Sequence, residues 1–281
     1  MATSSRRRAQ RTRRRNSASD LSARIWVAVP AIAYAIFIVA AGGAVFAVGV
    51  VLLGFVCLHE LFRMYEGLRP VRLAGFLGLI GLSAAAYFGG EHQVLLATVA
   101  FFPGLFLLAL ALPERPGVPV TDGMMITLLG TLWIGLAIAH AIMLRELPHG
   151  DGIVIDILVG TFLGDTAAYL GGRAFGTRPL AARISPKKTV EGLLFGIVGA
   201  ALAVWCAGLY QDWLGGWNAL LLGFVVGLAA PLGDLFESKI KRDAGTKDAG
   251  TLFGPHGGAL DRLDAALFSL VAGYYVWLLL L

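Results

Sequence analysis

The sequence predicts an all-α integral membrane protein of about nine spanning helices, with the N-terminus in the cytoplasm. Three observations carry that expectation. Mean hydropathy is +0.75, with 57% of residues hydrophobic and 15% charged, where an ordinary soluble domain is roughly half apolar and about a quarter charged. Apolar runs close to the ~20 residues needed to cross a bilayer recur along the chain. Finally, if the N-terminal tail lies inside, every Lys and Arg except Arg145 falls on the cytoplasmic side, the asymmetry of the positive-inside rule.

Residues 1–24 form a polar tail with Arg6, Arg7, Arg8, Arg11, Arg13, Arg14, Arg15 and Arg24. With almost nothing to bury, it is expected to be disordered and to act as a topology anchor on anionic lipid. Nucleic-acid binding or a targeting role is the lesser alternative. A cleaved signal peptide fits poorly, because the first apolar run leads straight into a second. The expected spans are about 25–41, 43–60, 71–89, 95–112, 124–144, 153–172, 190–210, 217–236 and 262–281. They divide into an N-terminal set of about five over 25–150 and a C-terminal region, 151–281, of about four helices with two polar loops. Cys57 and Cys206 both lie in apolar runs, so no disulfide framework is implied.

The polar stretch Ser238–Asp264, SKIKRDAGTKDAGTLFGPHGGALDRLD, sits between the last two spans. Basic residues beside clustered carboxylates suit the holding of a phosphate together with a divalent cation. Asp261 and Asp264, three apart, would point the same way on the ninth helix. A first-turn interaction with the helix dipole is the simpler alternative. Asp234 precedes this stretch, with Glu237 and Ser238 one turn on along the same face.

A second polar stretch, Gly164–Gly192, reads GDTAAYLGGRAFGTRPLAARISPKKTVEG. Ser185 is a good N-cap and Pro186 a good first helical residue. The seventh helix would then open with free N–H groups beside Lys187 and Lys188, an anion site at headgroup depth. Anchoring to anionic lipid is the other reading of those lysines. Asp165 lies at the inner end of the sixth span, where a carboxylate usually faces a polar cavity, a partner or an ion. A helix–helix hydrogen bond through Thr166 or Tyr169 would also account for it.

Both stretches resemble the shared regions of the CDP-diacylglycerol synthases, the phosphatidate cytidylyltransferases. In the first, Ser238, Ile240, Lys241, Arg242, Lys247, Asp248, His256, Gly257, Gly258, Asp261, Arg262 and Asp264 fall at that family's spacing. Ala259 departs from it where a larger aliphatic is usual. In the second, Ala167 and Val190 replace a common glycine and tryptophan without removing a functional group.

The resemblance implies that phosphatidic acid and CTP, meeting at the inner face of the cell membrane, give CDP-diacylglycerol and pyrophosphate. It also implies a two-ion site and a homodimer. The expected metal ligands for Mg²⁺ are Asp234 and Asp261, with Asp264 and Asp248 next; K⁺ is the candidate second cation. Lys241, Arg242, Lys247 and Arg262 are expected at the nucleotide phosphates, with Ser238 and Asp165 in the substrate site. Ser185, Lys187 and Lys188 are expected at the lipid headgroup. His256 orients a phosphate or shapes the turn.

Two other motif patterns are absent, while a secondary transporter and an enzyme activating a different lipid are the lesser alternatives. His59-Glu60 opens HELFR rather than HExxH, so no zinc-protease motif is present; the pair is expected to cap the second span, with a substrate-channel role as the lesser alternative. Gly171 to Gly176 lacks the Lys-Ser/Thr of a P-loop. A secondary transporter would place its carboxylates near mid-membrane in paired halves. CTP-dependent activation of a different lipid, such as a polyprenol, fits the same residues. No nucleic-acid partner is expected.

Overall fold

The computed structural model describes residues 29–113, 116–250 and 257–281. The arginine-rich tail and His256 lie outside the described residues. Helix α1, Val29–Ala41, belongs to a unit of its own. The second unit, residues 42–281, holds α2 (Gly43–Met64), α3 (Arg72–Gly89), α4 (Glu91–Leu110), α5 (Val120–Glu146), α6 (Gly150–Phe175), α7 (Val190–Gly208), α8 (Gly216–Asp243) and α9 (Leu260–Leu280). Each of these eight is long and apolar enough to cross a membrane.

Composition explains their outward faces. Large side chains such as Phe88, Leu107, Leu110, Leu170 and Leu279 stand exposed, as lipid-facing positions must in a chain whose solvent on those faces is hydrocarbon. Inside, Leu58, Leu61, Phe62, Leu79, Leu82, Ile134, Ile142, Ile153 and Ile157 are fully buried. Helix α6 packs most extensively against α7, α7 against α8, and α8 against α9. The α6–α7 contact is close because small residues line it. A Cβ on Gly196 would stand 2.9 Å from Ala168 Cβ and 3.2 Å from the Gly164 carbonyl oxygen, the kind of approach that drives helix association in lipid.

Successive helices alternate in direction, so the bundle has two chemically different ends. One is aromatic. Trp213 stacks on His149 with centroids 4.7 Å apart and meets Trp277 edge-on at 5.7 Å. Trp277 Nε1 donates to the Pro148 carbonyl at 2.9 Å, and Tyr274 donates to Glu91 Oε1 at 3.0 Å. Aromatic residues of this kind settle at membrane–water boundaries. The other end is basic: among the described residues, Arg145 is the one Lys or Arg that does not lie there.

Two differences from the sequence reading matter for the site. Helix α8 runs on to Asp243, seven residues past the expected end at 236, because its last two turns are polar yet helical. Ser185 is not a helix cap. Residues Ser185–Thr189 form a strand (β2) antiparallel to Pro179–Ala181 (β1), and α7 starts at Val190. Thr189 takes the capping position instead, its Oγ1 accepting from Gly192 N at 3.1 Å. Glu191 then fixes the hairpin's base: its carboxylate accepts from Thr177 N and Oγ1 and from Arg178 N and Nε, at 2.8–3.2 Å.

Candidate active site

The two polar stretches meet at the basic end of the bundle. Their junction is an ion pair between Lys188 on β2 and Asp234 on α8, each with 29% of its side chain exposed. Adjacent strand residues point to opposite faces, so turning Lys188 to Asp234 leaves Lys187 outward, where it is exposed. Arg242 Nε reaches the Ile184 carbonyl at 3.4 Å and ties the end of α8 to the same hairpin.

Along α8 the functional groups follow helical spacing, with residues four apart on one face. Ser238 Oγ donates to Asp234 Oδ1 at 3.2 Å. Lys241 Nζ lies 2.5 Å from Glu237 Oε2 and 2.6 Å from Asp261 Oδ1. The three side chains are 12%, 1% and 11% exposed, so Lys241 is an almost dry bridge between α8 and α9.

Asp261 also ties together the two described ends of the loop between those helices. Ala249 N donates to it at 2.9 Å and Gly258 N at 2.7 Å. Gly257 adopts φ of +84°, and a Cβ there would press on the Asp261 carboxylate. Only glycine enters that turn cheaply. Asp264, one helical step further along α9, is buried at 8% exposure.

The remaining expected residues sort as follows. Asp165 faces this cluster: its charge interacts with those of Asp234, Lys188 and Asp264. Thr166 and Tyr169, considered as its helix–helix link, instead bond within α6, to Phe162 O and from Arg173. Lys247, Asp248 and Arg262 are exposed. Asp248 sits beside Ala249, whose N–H reaches Asp261.

Two carboxylates in the site have roles the sequence reading did not assign. Glu237, noted there only for its place on the Asp234 face, is 1% exposed and pairs with Lys241 through Oε2. Glu60, expected to cap its own span, is 5% exposed and accepts from Ala259 N at 3.1 Å and Leu260 N at 2.9 Å. The signal was available: an ionisable residue inside an apolar run is rarely idle.

The donor set fits a hard divalent cation. Asp165, Asp234, Glu237, Asp261 and Asp264 outnumber Lys188 and Lys241, the lysines whose charges interact with them. All their ligating atoms are oxygen, the preference of Mg²⁺. Lys241 engages Glu237 through Oε2, which leaves Oε1 as acceptor capacity that no protein hydrogen bond uses. Among the described residues, no three such groups already converge on one point.

Comparison with known proteins gives the family. The model of the cytidylyltransferase family matches residues 22–280. A phosphatidate cytidylyltransferase of Synechocystis sp. is 33% identical over 92% of this chain and 97% of its own length. One from Bacillus subtilis is 32% identical with the same coverage. Phosphatidate cytidylyltransferase 4, chloroplastic, of Arabidopsis thaliana is 32% identical over 84% of this chain and 68% of the relative.

Proposed function

The chain belongs to the cytidylyltransferase family, and on that premise we propose that it transfers the cytidylyl group of CTP to phosphatidic acid at the basic end of the bundle. The products are CDP-diacylglycerol and pyrophosphate, which makes it an enzyme of phospholipid biosynthesis. The observation that carries the assignment of the site is the junction of both polar stretches through the Lys188–Asp234 pair and the Lys241 bridge.

The lipid phosphate is already an anion, so it needs little help from a base to attack the α-phosphorus of CTP. A bond forms from its oxygen to that phosphorus as the bond to the departing pyrophosphate breaks. Catalysis is then positioning and neutralisation of charge. Lys241 is held rigidly between Glu237 and Asp261 and presents a fixed positive charge at the centre of the site. Arg242, Lys247 and Arg262 surround the nucleotide's phosphates, while Ser185, Lys187 and Lys188 on the hairpin receive the lipid headgroup. Mg²⁺ on Asp234, Asp261 and Asp264 would neutralise triphosphate charge, with K⁺ as a second ion. Asp248 and Ser238 complete the polar wall.

The basic end faces the cytoplasm of a cell membrane in this reading, where CTP and a lipid headgroup meet. The positive-inside asymmetry supports that orientation, and the resemblance supports a homodimer.

Purified protein in phospholipid nanodiscs tests the proposal, using CTP labelled at the α- or γ-phosphate with phosphatidic acid or a polyprenyl phosphate. The α-label should enter lipid only with phosphatidic acid, and the γ-label should leave as pyrophosphate. Transfer to the polyprenyl phosphate alone would overturn the substrate assignment. Absence of any labelled lipid from folded protein would overturn the reaction.

A further inference from the structure

Helix α9 starts without a cap of its own. The first N–H groups of a helix have no partner within it, and the residues ahead of Leu260 are Gly257, Gly258 and Ala259, none with a capping side chain. The missing acceptor comes from α2, about two hundred residues earlier. Glu60 Oε1 accepts from Ala259 N at 3.1 Å and Oε2 from Leu260 N at 2.9 Å. A carboxyl group at this position also suits the positive end of the helix dipole.

The two described ends of the loop are shaped around that group. A Cβ on either Gly250 or Gly258 would collide with the Glu60 carboxyl, so both are required to be small by what they enclose. One residue before Gly250, Ala249 N donates to Asp261, and Gly258 N donates to it as well. Glu60 and Asp261 therefore grip the same two ends of the loop, and Asp261 in turn holds Lys241 at 2.6 Å. Tyr65, a little further along the same chain segment, donates to the Ile240 carbonyl at 2.9 Å, next to Lys241.

We propose that Glu60 is a positioning residue for nucleotidyl transfer: by capping α9 from α2, it sets the register of Asp261 and Lys241. It touches no substrate. Its effect travels through two amides and the Asp261 hydrogen bonds, so its loss should misplace the charged centre and leave the lipid-binding hairpin unaltered. This inference rests on the cytidylyltransferase reading.

The test uses full-length protein in nanodiscs with two variants. Glu60→Gln sets an NH₂ donor where an amide donor already points. Gly250→Ala leaves Glu60 chemically intact and pushes it from the loop side. Each is assayed for kcat, for KM toward CTP and phosphatidic acid, and for the Mg²⁺ concentration giving half-maximal rate, per molecule of monodisperse protein. Both should lower kcat, by about 10²-fold for Glu60→Gln, the scale of a misplacement of about 1 Å. The Mg²⁺ midpoint should rise and KM for phosphatidic acid should change little. A purely structural role would lower thermal stability alone, with kcat and the Mg²⁺ midpoint of the folded fraction unchanged; that result overturns the proposal. If Glu60→Gln does not fold, Gly250→Ala decides by the same criteria. Wild-type turnover in the same assay separates the two readings. Its absence counts against the reaction; its presence with unaltered variants counts against Glu60.

Discussion

Replacing Lys241 with methionine should sharply lower turnover and destabilise the protein at the same time. The ammonium lies between Glu237 and Asp261 at 2.5 and 2.6 Å, and all three side chains are nearly excluded from solvent. Removing one partner of a buried charge cluster costs about 3–5 kcal/mol, chiefly because the others remain buried without compensation. Turnover should fall by at least about 10²–10³-fold, the usual effect of deleting a preorganised charge-stabilising group. The double variant Lys241→Met with Glu237→Gln separates the two losses. Deleting the adjacent negative charge should restore much of the thermal midpoint in detergent and none of the turnover. Recovery of turnover in the double variant would show that Lys241 only neutralises Glu237.

Asp234→Asn should behave differently. This carboxylate is part-exposed at 29% and sits at the mouth of the cluster, bonded to Lys188 and Ser238. Its loss leaves no deeply buried charge, so the thermal midpoint should move little. Catalysis should fall by about 10²–10³-fold, with a higher Mg²⁺ concentration needed for half-maximal rate. KM for phosphatidic acid should also change, because Lys188 loses the partner that orients it. Wild-type kcat and Mg²⁺ dependence in Asp234→Asn would remove this residue from the site.

The contrast between these two residues shows what could be read from the sequence. Hydropathy located eight of the nine expected spans well, since burial in lipid requires long apolar runs: the expected 190–210 and 217–236 became Val190–Gly208 and Gly216–Asp243, while of the expected 25–41 the described residues form the shorter helix Val29–Ala41. It missed the end of α8 because the last turns present Asp234, Glu237, Ser238 and Lys241 at four-residue spacing, which lowers hydropathy without breaking a helix. The Asp234–Ser238 face was legible from that spacing. Ser185 misled because its local chemistry suits an N-cap. Pairing with Pro179–Ala181 and the grip of Glu191 on Thr177 and Arg178 outweigh that preference. Glu60 was visible as a charge in an apolar run, but its partners lie about two hundred residues away. No local pattern encodes such a contact. The Lys188–Asp234 pair escaped for the same reason: each residue looked complete within its own motif.

The most direct measurement is the initial rate of CDP-diacylglycerol formation from CTP and phosphatidic acid by wild type and Asp261→Asn, with Mg²⁺ stepped from chelated to saturating. Among the described residues Asp261 alone joins Lys241, Ala249 and Gly258, so it is the point through which the cluster acts as one unit. Product that requires Mg²⁺ in the wild type and falls by about 10³-fold in the folded variant is the expected result. An undiminished rate in Asp261→Asn would leave the family assignment in place and contradict the location of the catalytic centre.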